Sequence, residues 1–292
     1  MKKILILGRN GFIGKNLFEY FSNKYEIFAP SRMELDVLNG LAVENLFKTS
    51  SFEIVLNALD GKLDTSTPNS EYIYSNQRLK MFLNLERCKD YYGKMLYFGT
   101  GAEYARELPI INITEKDFDR KIPDDIYGFT MYTMNKLSMQ SNNIFNFRLF
   151  GIFGKYEIYK TRFISNAICK ALHDLPITIR QNCIFDYLHT DDLCKMVHHF
   201  IENDMLFKDY NATSGEKYAL LELAKIVKSV INKNVPIIVA KEGLNNEYTS
   251  SNGRIVNEMN GFSIEPIKHQ IERLTAFYAE RLNEINRASL CL

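Results

Sequence analysis

Short, wholly apolar segments alternate with longer amphipathic segments through the first half of the chain. Residues 4–7 read Ile-Leu-Ile-Leu, which is the pattern of a strand covered on both faces. Further strand patterns occupy residues 25–29, 53–58, 95–98 and 145–149. Helical patterns lie between them, at about 12–21, 41–47, 70–91 and 126–141. Strands that alternate with helices predict right-handed crossovers, and therefore an α/β fold with a doubly wound parallel sheet.

The pattern loosens in the second half of the chain. Segments 61–70 and 101–125 are polar and are predicted to be loops. Later helices are predicted at 163–172, 191–202, 219–230 and 265–285, and short strands at 177–179, 184–188 and 210–212. We therefore expect a first domain of residues 1–150, to which 183–204 return, and a smaller α/β lobe of 151–182 and 205–292. A site is expected between the two.

Composition and charge exclude several classes of partner. The 292 residues are 46% hydrophobic with a net charge of +1, so neither a nucleic acid nor an anionic membrane is an expected partner. The five cysteines are scattered, which suggests reduced thiols and no metal site. No apolar run approaches 18 residues, and the first strand leaves no room before it for a signal peptide. We expect a cytoplasmic protein.

A glycine-rich turn follows the first strand and opens the first helix. Glycines at this place allow a tight turn and a close approach of backbone to a pyrophosphate, which the helix N-terminus then binds. An ordinary strand-to-helix turn is the alternative, but the position favours a dinucleotide cofactor. The predicted binding residues are Gly8, Arg9, Asn10, Gly11, Phe12, Ile13 and Gly14.

The residues after the second strand bear on the choice between NAD and NADP. An NAD-specific domain usually carries an acidic residue there for the ribose hydroxyls. Here the strand leads into Ser31 and Arg32, and Arg9 lies in the glycine turn. Two guanidinium groups can bind a 2′-phosphate, so NADP(H) is favoured. Alternatively Arg32 is a solvated surface residue and Glu34 binds the ribose of NAD(H). Asp36 is expected next to the adenine.

Tyr132 and Lys136 are four residues apart in a predicted helix and therefore share a face. A cation fixed beside a phenol favours the phenolate, which suits acid–base catalysis near neutral pH. Tyr127 offers no such pair, because Met131 follows it by four residues. Thr100, just after the fourth strand, can hold a substrate oxygen. The alternatives are a packed tyrosine, a surface lysine and a threonine that ends a strand.

These motifs together resemble the extended short-chain dehydrogenase/reductase family, also called the NAD-dependent epimerase/dehydratase family. The resemblance implies a Rossmann domain at 1–150 and a substrate-binding lobe in the remainder. It implies that Thr100, Tyr132 and Lys136 are catalytic, and that Lys136 also bonds the nicotinamide ribose. It also implies a homodimer. Further cofactor contacts implied by the resemblance are Asn57, Ala58, Leu59, Asn76 and Phe98.

Within this family the sequence is most similar to 4-keto sugar nucleotide reductases of the GDP-fucose synthase and dTDP-4-dehydrorhamnose reductase type. The epimerising members use a cysteine and a histidine where this chain has Ala102 and Tyr156, so reduction without epimerisation is expected. Gly101 and Ala102 replace the acidic pair of the dehydratases. Cell-surface polysaccharide precursors are the expected pathway.

The substrate is expected to be a nucleotide-diphosphate sugar, bound by Thr100, Ala102, Tyr156 and Arg180. Phe185 stands where many relatives have an arginine that binds the diphosphate, and Arg180, on a predicted strand close by, is the favoured replacement. Alternatively Arg180 is a solvated surface residue. The other basic candidates are Lys155, Lys160 and Arg162. Two alternative functions stay open at this point: a 4-epimerase that keeps NAD tightly bound, and a non-catalytic regulator that senses NAD(P).

Overall fold

The computed structural model describes residues 1–60 and 68–290. Most of the predicted loop at 61–70 and Cys291 lie outside these residues. The chain divides into two units. The first comprises Met1–Leu108, Thr114–Leu149 and Val197–Ala212, and the second comprises Pro109–Ile113, Phe150–Met196 and Thr213–Leu292. The segment that returns to the first unit is therefore 197–212, compared with the predicted 183–204.

The first unit is built on a six-stranded sheet in the order β11-β6-β4-β3-β1-β2, and every pair is parallel. Its strands are β1 (Lys3–Leu7), β2 (Glu26–Phe28), β3 (Phe52–Asn57), β4 (Tyr92–Thr100), β6 (Ile144–Leu149) and β11 (Asp209–Asn211). The helices between them are α1 (Phe12–Phe21), α2 (Gly40–Thr49), α3 (Ser70–Glu86) and α4 (Ile126–Met139). α6 spans Thr190–Glu202.

The central strands are buried on both faces of the sheet, and most of their residues are apolar. Residues 4–7 are at most 1% exposed, and all six residues of β6 are buried. A strand of this kind needs helices on both sides of the sheet. The predicted Rossmann-like α/β architecture with a parallel sheet is confirmed. Because parallel strands end at one edge of the sheet, the residues just after β1, β3 and β4 lie close together.

The second unit contains three small sheets. β10 (Tyr187–His189) pairs with β7 (Gly151–Phe153), and β13 (Ile237–Leu244) pairs with β8 (Ile177–Asn182). A four-stranded sheet has the order β12-β9-β14-β5, with β5 at Ile110–Ile113, β9 at Ile184–Phe185, β12 at Tyr218–Ala219 and β14 at Tyr248–Ser250. The helices of the second unit are α5 (Phe163–Leu172), α7 (Leu220–Ile231), α8 (Gly253–Glu258) and α9 (Ile267–Ala279).

Several elements were not predicted. The segment 101–125 is not wholly a loop, because it contains β5 and two short 3-10 helices. β13 is exposed along almost its whole length, so it lacks the alternation that marks a half-buried strand. Both long helices also end early: α3 at Glu86 and α9 at Ala279. No helix in the described part of the chain is long and apolar enough to cross a membrane.

Candidate active site

The glycine turn between β1 and α1 packs against the chain just after β3. Gly8 has a φ of +85°, and a Cβ on it would lie 2.4 Å from the carbonyl oxygen of Ala58. A Cβ on Gly14 would lie 2.1 Å from the carbonyl oxygen of Gly8. The Gly11 amide donates to the same oxygen across 2.9 Å and closes the turn. Larger residues at positions 8 and 14 therefore cannot be accommodated without moving backbone.

The first helix begins directly after this turn without a side-chain cap. Gly11 is the N-terminal flanking residue, and no side chain in the described part of the chain accepts from the first amides of α1. Asn10 and Gly11 are exposed, Phe12 and Ile13 are half-buried, and Gly14 is buried. The first amides of a helix need acceptors and carry partial positive charge, which suits an anion. This end of α1 therefore fits a cofactor pyrophosphate.

The residues predicted at the adenosine ribose have the following contacts. The Arg32 side chain is 72% exposed, and its Nε lies 3.9 Å from an oxygen of Asp36. The Arg9 guanidinium lies 5.7 Å from the ring centroid of Phe18. Glu34, the alternative ribose ligand, accepts a 2.7 Å bond from the Ser31 amide. That bond, with a smaller contribution from the charge of Arg9, lowers the pKa of Glu34.

A small cavity lies at the carboxyl ends of β3 and β4, between the sheet and helices α3 and α4. It brings together three residues that the sequence assigned to the cofactor, Asn57, Leu59 and Phe98. The Asn57 side chain is fixed there, because its oxygen accepts from the Leu59 amide across 3.2 Å. The complete lining is Asn57, Leu59, Arg78, Met81, Tyr97, Phe98 and Met134.

Arg78 of α3 is the charged residue in this lining, and the sequence analysis did not identify it. Its side chain is only 13% exposed. Nη1 donates to Asp60 across 2.6 Å and to the Tyr74 hydroxyl across 2.9 Å, and Nη2 lies 3.5 Å from the Phe98 carbonyl oxygen. Nε is buried and has no hydrogen-bond partner among the described residues. A buried donor without a partner is costly, which suggests that a ligand completes the arrangement.

The environment of Arg78 keeps its positive charge. Burial alone would lower the pKa of Arg78, but the oxygens of Tyr127, Asp60 and Tyr74 raise it above its ordinary value. The guanidinium carbon lies 5.8 Å from the ring centroid of Tyr127 and 6.0 Å from that of Tyr74. A fixed guanidinium therefore lies beside two phenols at the edge of the cavity.

Thr100 ends β4 and begins a 3-10 helix at Gly101–Tyr104. Its hydroxyl oxygen accepts from the Ala102 amide across 3.4 Å, and its own amide donates to Glu103 across 3.1 Å. Ala102 is 1% exposed and carries no exchangeable side-chain proton. The turn therefore contains one hydroxyl group, of Thr100, and next to it a buried methyl group that cannot exchange a proton.

A buried ion network holds this turn in place. Arg148 of β6 bonds to Glu103 and to Asp209, each across 2.6 Å, and Asn146 also donates to Glu103. Arg148 and Glu103 are fully buried. Burial raises the pKa of Glu103, although the bonds from Arg148 and Asn146 oppose this effect. Gly99 leaves the space that the Glu103 carboxylate fills, since a Cβ there would lie 2.2 Å from its oxygen.

The predicted Tyr132–Lys136 pair lies together on α4 but is joined through an aspartate. The Tyr132 hydroxyl donates to one oxygen of Asp119, and the Lys136 ammonium donates to the other across 2.9 Å. Phe118 stacks on the Tyr132 ring at a centroid distance of 5.1 Å. Burial, together with the hydrogen bond and the charge of Asp119, raises the pKa of Tyr132 to about 12. In this arrangement the Asp119 carboxylate lies between the two side chains and opposes ionisation of the Tyr132 phenol, so the expected effect of Lys136 on the phenolate stays a prediction.

Tyr127 lies in the first turn of the same helix, on a different face. Gly128, its neighbour, touches the Thr100 turn, since a Cβ there would lie 3.0 Å from the Ala102 carbonyl oxygen. The Tyr127 ring lies 6.1 Å from that of Tyr74, and its hydroxyl makes no hydrogen bond to any residue that the structure describes. Met131, four residues later, is fully buried. The cation beside Tyr127 is Arg78, which belongs to another helix. An i, i+4 motif in the sequence therefore cannot reveal it.

The other predicted site residues lie elsewhere. Asn76 is half-buried in α3. Tyr156 and Arg180 belong to the second unit. Tyr156 has a φ of 71°, and its ring packs edge-on against Phe277 at 5.4 Å. Arg180 is exposed on β8, where its neighbours Ile177 and Ile179 face the core. Their roles at a substrate stay predictions.

The parallel sheet and its glycine turn define a dinucleotide-binding enzyme of the Rossmann type. The glycine cradle, the uncapped helix and the unpartnered Arg78 Nε fit an NAD(P) cofactor. The profile of the NAD dependent epimerase/dehydratase family matches residues 4–212. The chain belongs to that family, as its sequence motifs indicated, and is an NAD(P)-dependent enzyme of the oxidoreductase type.

Individual relatives are distant in sequence but cover most of the chain. The ADP-L-glycero-D-manno-heptose-6-epimerase of Brachyspira hyodysenteriae (strain ATCC 49526 / WA1) is 24% identical, over 84% of this chain and 86% of its own length. GDP-mannoheptose C4 reductase from Campylobacter jejuni with NADP bound superposes with a TM-score of 0.80 at 18% identity, over 95% of this chain and 98% of its own. A GDP-L-fucose synthetase from Naegleria fowleri gives 0.84 at 13% identity, over 98% and 95%.

Proposed function

We propose that this enzyme uses NADPH to reduce the C4 carbonyl of a nucleotide-linked 4-keto-6-deoxy sugar, without epimerising C3 or C5. The observation that carries this proposal is the turn after β4, where the Thr100 hydroxyl stands next to the buried methyl group of Ala102. A group that removes and returns a proton at C3 or C5 needs an exchangeable proton, and alanine has none. A reductase and a fucose synthetase among the similar structures support the same reaction class.

Residues of the first unit supply the groups that this reaction needs. Bound NADPH supplies the hydride. The Thr100 hydroxyl holds the carbonyl oxygen, and a tyrosine of α4 donates the proton that the reduced oxygen needs. Two tyrosines of this helix, Tyr132 and Tyr127, are candidates for that donor. The ion network of Glu103 and Arg148 keeps the Thr100 turn in place.

The cofactor preference follows from the two arginines near the predicted ribose. Arg9 and Arg32 supply charge-assisted donors for a 2′-phosphate, whereas Glu34 is bonded to the Ser31 amide. We expect Arg32→Ala to weaken NADPH binding about tenfold, on the scale of one hydrogen bond to a charged group, and to leave NADH nearly unchanged. Equal losses for both cofactors, measured by fluorescence titration, would contradict the assignment.

The substrate is proposed to be a nucleotide-diphosphate sugar, with Tyr156 and Arg180 of the second unit among its ligands. Arg180 is exposed, so it can reach a diphosphate without leaving a buried partner unpaired. A homodimer and a cytoplasmic location are proposed with it on the strength of the family resemblance.

Epimerisation with tightly held NAD is a second candidate, because one relative is a sugar-nucleotide epimerase. Incubation with NADPH and GDP- or dTDP-4-keto-6-deoxyhexose in deuterated water distinguishes the two reactions. Our proposal predicts oxidation of NADPH and a product without solvent deuterium at C3 and C5. Deuterium at either carbon, present only with enzyme, would show epimerisation at those carbons. NAD that copurifies and is never released would support the second candidate, and an absence of any turnover would support a sensing role.

A further inference from the structure

We infer that the proton donor and its cation are Tyr127 and Arg78, contributed by two different helices, and not the Tyr132–Lys136 pair. This inference deepens the proposed function and rests on it for the identity of the reaction. The juxtaposition that carries it is a phenol in the first turn of α4 beside a buried guanidinium of α3, and this guanidinium lines the same cavity as Asn57 and Phe98.

The topology separates the two tyrosines. Helices that connect parallel strands run back along the sheet, so α4 begins near the carboxyl ends of the strands, where Rossmann cofactors bind. Tyr127 is the second residue of α4. Tyr132 lies about 7.5 Å further along the helix and about 140° around it. Tyr127 is therefore at the end of α4 that begins near this edge of the sheet, and Tyr132 is on a different side of the helix.

The neighbours of Tyr127 on α4 connect this part of the helix to the substrate end of the site. Its neighbour Gly128 packs against the carbonyl oxygen of Ala102 in the Thr100 turn. Met134, two turns later on the same stripe of α4, lines the cavity. The first turn of α4 thus contacts the turn predicted to hold the substrate oxygen, and the stripe of Tyr127 and Met134 reaches the cavity with the cofactor residues.

Arg78 supplies the positive charge beside Tyr127, because Met131, four residues after Tyr127, is uncharged. Its guanidinium is held by Asp60, Tyr74 and the Phe98 carbonyl, and its Nε is buried without a partner among the described residues. An arginine stays protonated at all ordinary pH values, so its role is electrostatic and it does not relay protons. A nearby fixed cation stabilises a phenolate.

The opposite face of α4 is already engaged. The Tyr132 hydroxyl and the Lys136 ammonium both bond to Asp119, and this carboxylate makes the Tyr132 phenol harder to ionise. Of the two cations, Arg78 lines the cavity that contains Asn57, Leu59 and Phe98, and Lys136 does not. Their contacts, including the stacking of Phe118 on Tyr132, describe a structural cluster that anchors the segment before α4.

The chemical step balances with these groups. C4 of the sugar accepts a hydride and its C=O bond becomes a C–O single bond, so the sugar is reduced and NADPH is oxidised. The oxygen takes the proton of the Tyr127 hydroxyl, which leaves a phenolate beside the Arg78 guanidinium. A proton from solvent then restores the phenol.

The test compares the same substitution at two places on one helix. Tyr127→Phe should lower turnover about 10²- to 10⁴-fold, the usual scale for a positioned general acid, while NADPH binding is retained. Tyr132→Phe should keep most of the wild-type turnover. A loss in Tyr132→Phe that equals or exceeds the loss in Tyr127→Phe would overturn the inference.

The cation is tested by NADPH fluorescence titration, which needs no turnover. Arg78→Met should weaken NADPH binding about tenfold, because a charged donor leaves the cavity, and Lys136→Met should not. Arg78→Lys, which restores a cation, should recover part of the loss and shows that the fold survives. Equal affinities for Arg78→Met and wild type would overturn the inference. If wild-type enzyme reduces neither 4-keto sugar, the proposed function fails, and this titration still decides the role of Arg78.

Discussion

The two tyrosine-bearing faces of α4 differ in what surrounds them. Tyr132 satisfies the i, i+4 motif with Lys136, yet both groups bond to Asp119. Tyr127 has a methionine at the same spacing, yet a guanidinium from α3 lies beside its ring. The comparison shows that a spacing motif establishes which residues share a helix face but not what that face contacts. The neighbouring element decides which phenol can serve the site.

The largest expected effect concerns the buried ion network that holds the Thr100 turn. Arg148→Met leaves the buried carboxylates of Glu103 and Asp209 without their cation, so the free energy of unfolding should fall by about 3–5 kcal/mol. Arg120→Met is a matched control, because that arginine pairs with Asp117 at the surface and is 67% exposed. Its effect should stay below about 1 kcal/mol.

Urea unfolding followed by circular dichroism measures both variants. Similar losses in Arg148→Met and Arg120→Met would mean that the buried network does not hold the Thr100 turn in place.

A smaller effect is expected from Gly128→Ala. The added Cβ would lie 2.8 Å from the Cβ of Pro123 and 3.0 Å from the Ala102 carbonyl oxygen, so the first turn of α4 must move away from the Thr100 turn. Overpacking of this kind costs about 1–3 kcal/mol. Turnover should fall along with stability. The control Gly253→Ala meets only the Ser251 hydroxyl at 3.3 Å and should be nearly neutral.

Turnover of Gly128→Ala at temperatures well below its melting point separates the two effects. Full wild-type turnover there would show that contact between α4 and the Thr100 turn is not needed for catalysis.

The smallest expected effect concerns the pKa of Tyr132. Asp119→Asn removes the carboxylate that helps raise the pKa of Tyr132 to about 12, so this phenol should titrate at lower pH. A raised pKa in the folded state adds stability below the unfolded value of about 10, and this stability is lost as the pH rises towards 12. The variant should therefore lose less stability over that alkaline range. Turnover at neutral pH should change little.

Phenolate absorbance, measured as a difference between Asp119→Asn and Asp119→Asn/Tyr132→Phe, follows this single group. A Tyr132 titration at unchanged pH in Asp119→Asn would contradict the proposed influence of the carboxylate.

The sequence predicted the parts of the site that depend on local pattern. The apolar run at 4–7 and the glycines at 8 and 14 are sufficient for the strand, the turn and the cofactor cradle, because their constraints are steric and local. Asn57, Leu59 and Phe98 do gather at one cavity, since they follow or end adjacent parallel strands. The order of the strands and helices predicted the parallel sheet for the same reason.

Long-range partners could not be predicted in this way. Asp119 lies 17 residues before Lys136, in a segment that looks like a polar loop, and nothing in the local pattern shows that it reaches α4. Arg78 lies in a helix with weak amphipathic character, 49 residues before Tyr127. A signal was available in retrospect: an arginine is an unusual choice for a helix face that packs on the sheet. β13 escaped prediction because an exposed strand has no buried face to mark it.

Chemical rescue tests the assignment of Arg78 most directly. Arg78→Ala removes the guanidinium and leaves space beside Tyr127, whereas Lys136→Ala removes the ammonium bonded to Asp119. We predict that added guanidinium chloride, at concentrations that leave wild-type turnover unchanged, restores turnover to Arg78→Ala in a saturable manner. Lys136→Ala should keep most of the wild-type turnover and should therefore need no rescue. Absence of rescue in Arg78→Ala, together with a loss in Lys136→Ala that methylammonium reverses, would contradict the account and return catalysis to the Tyr132 face.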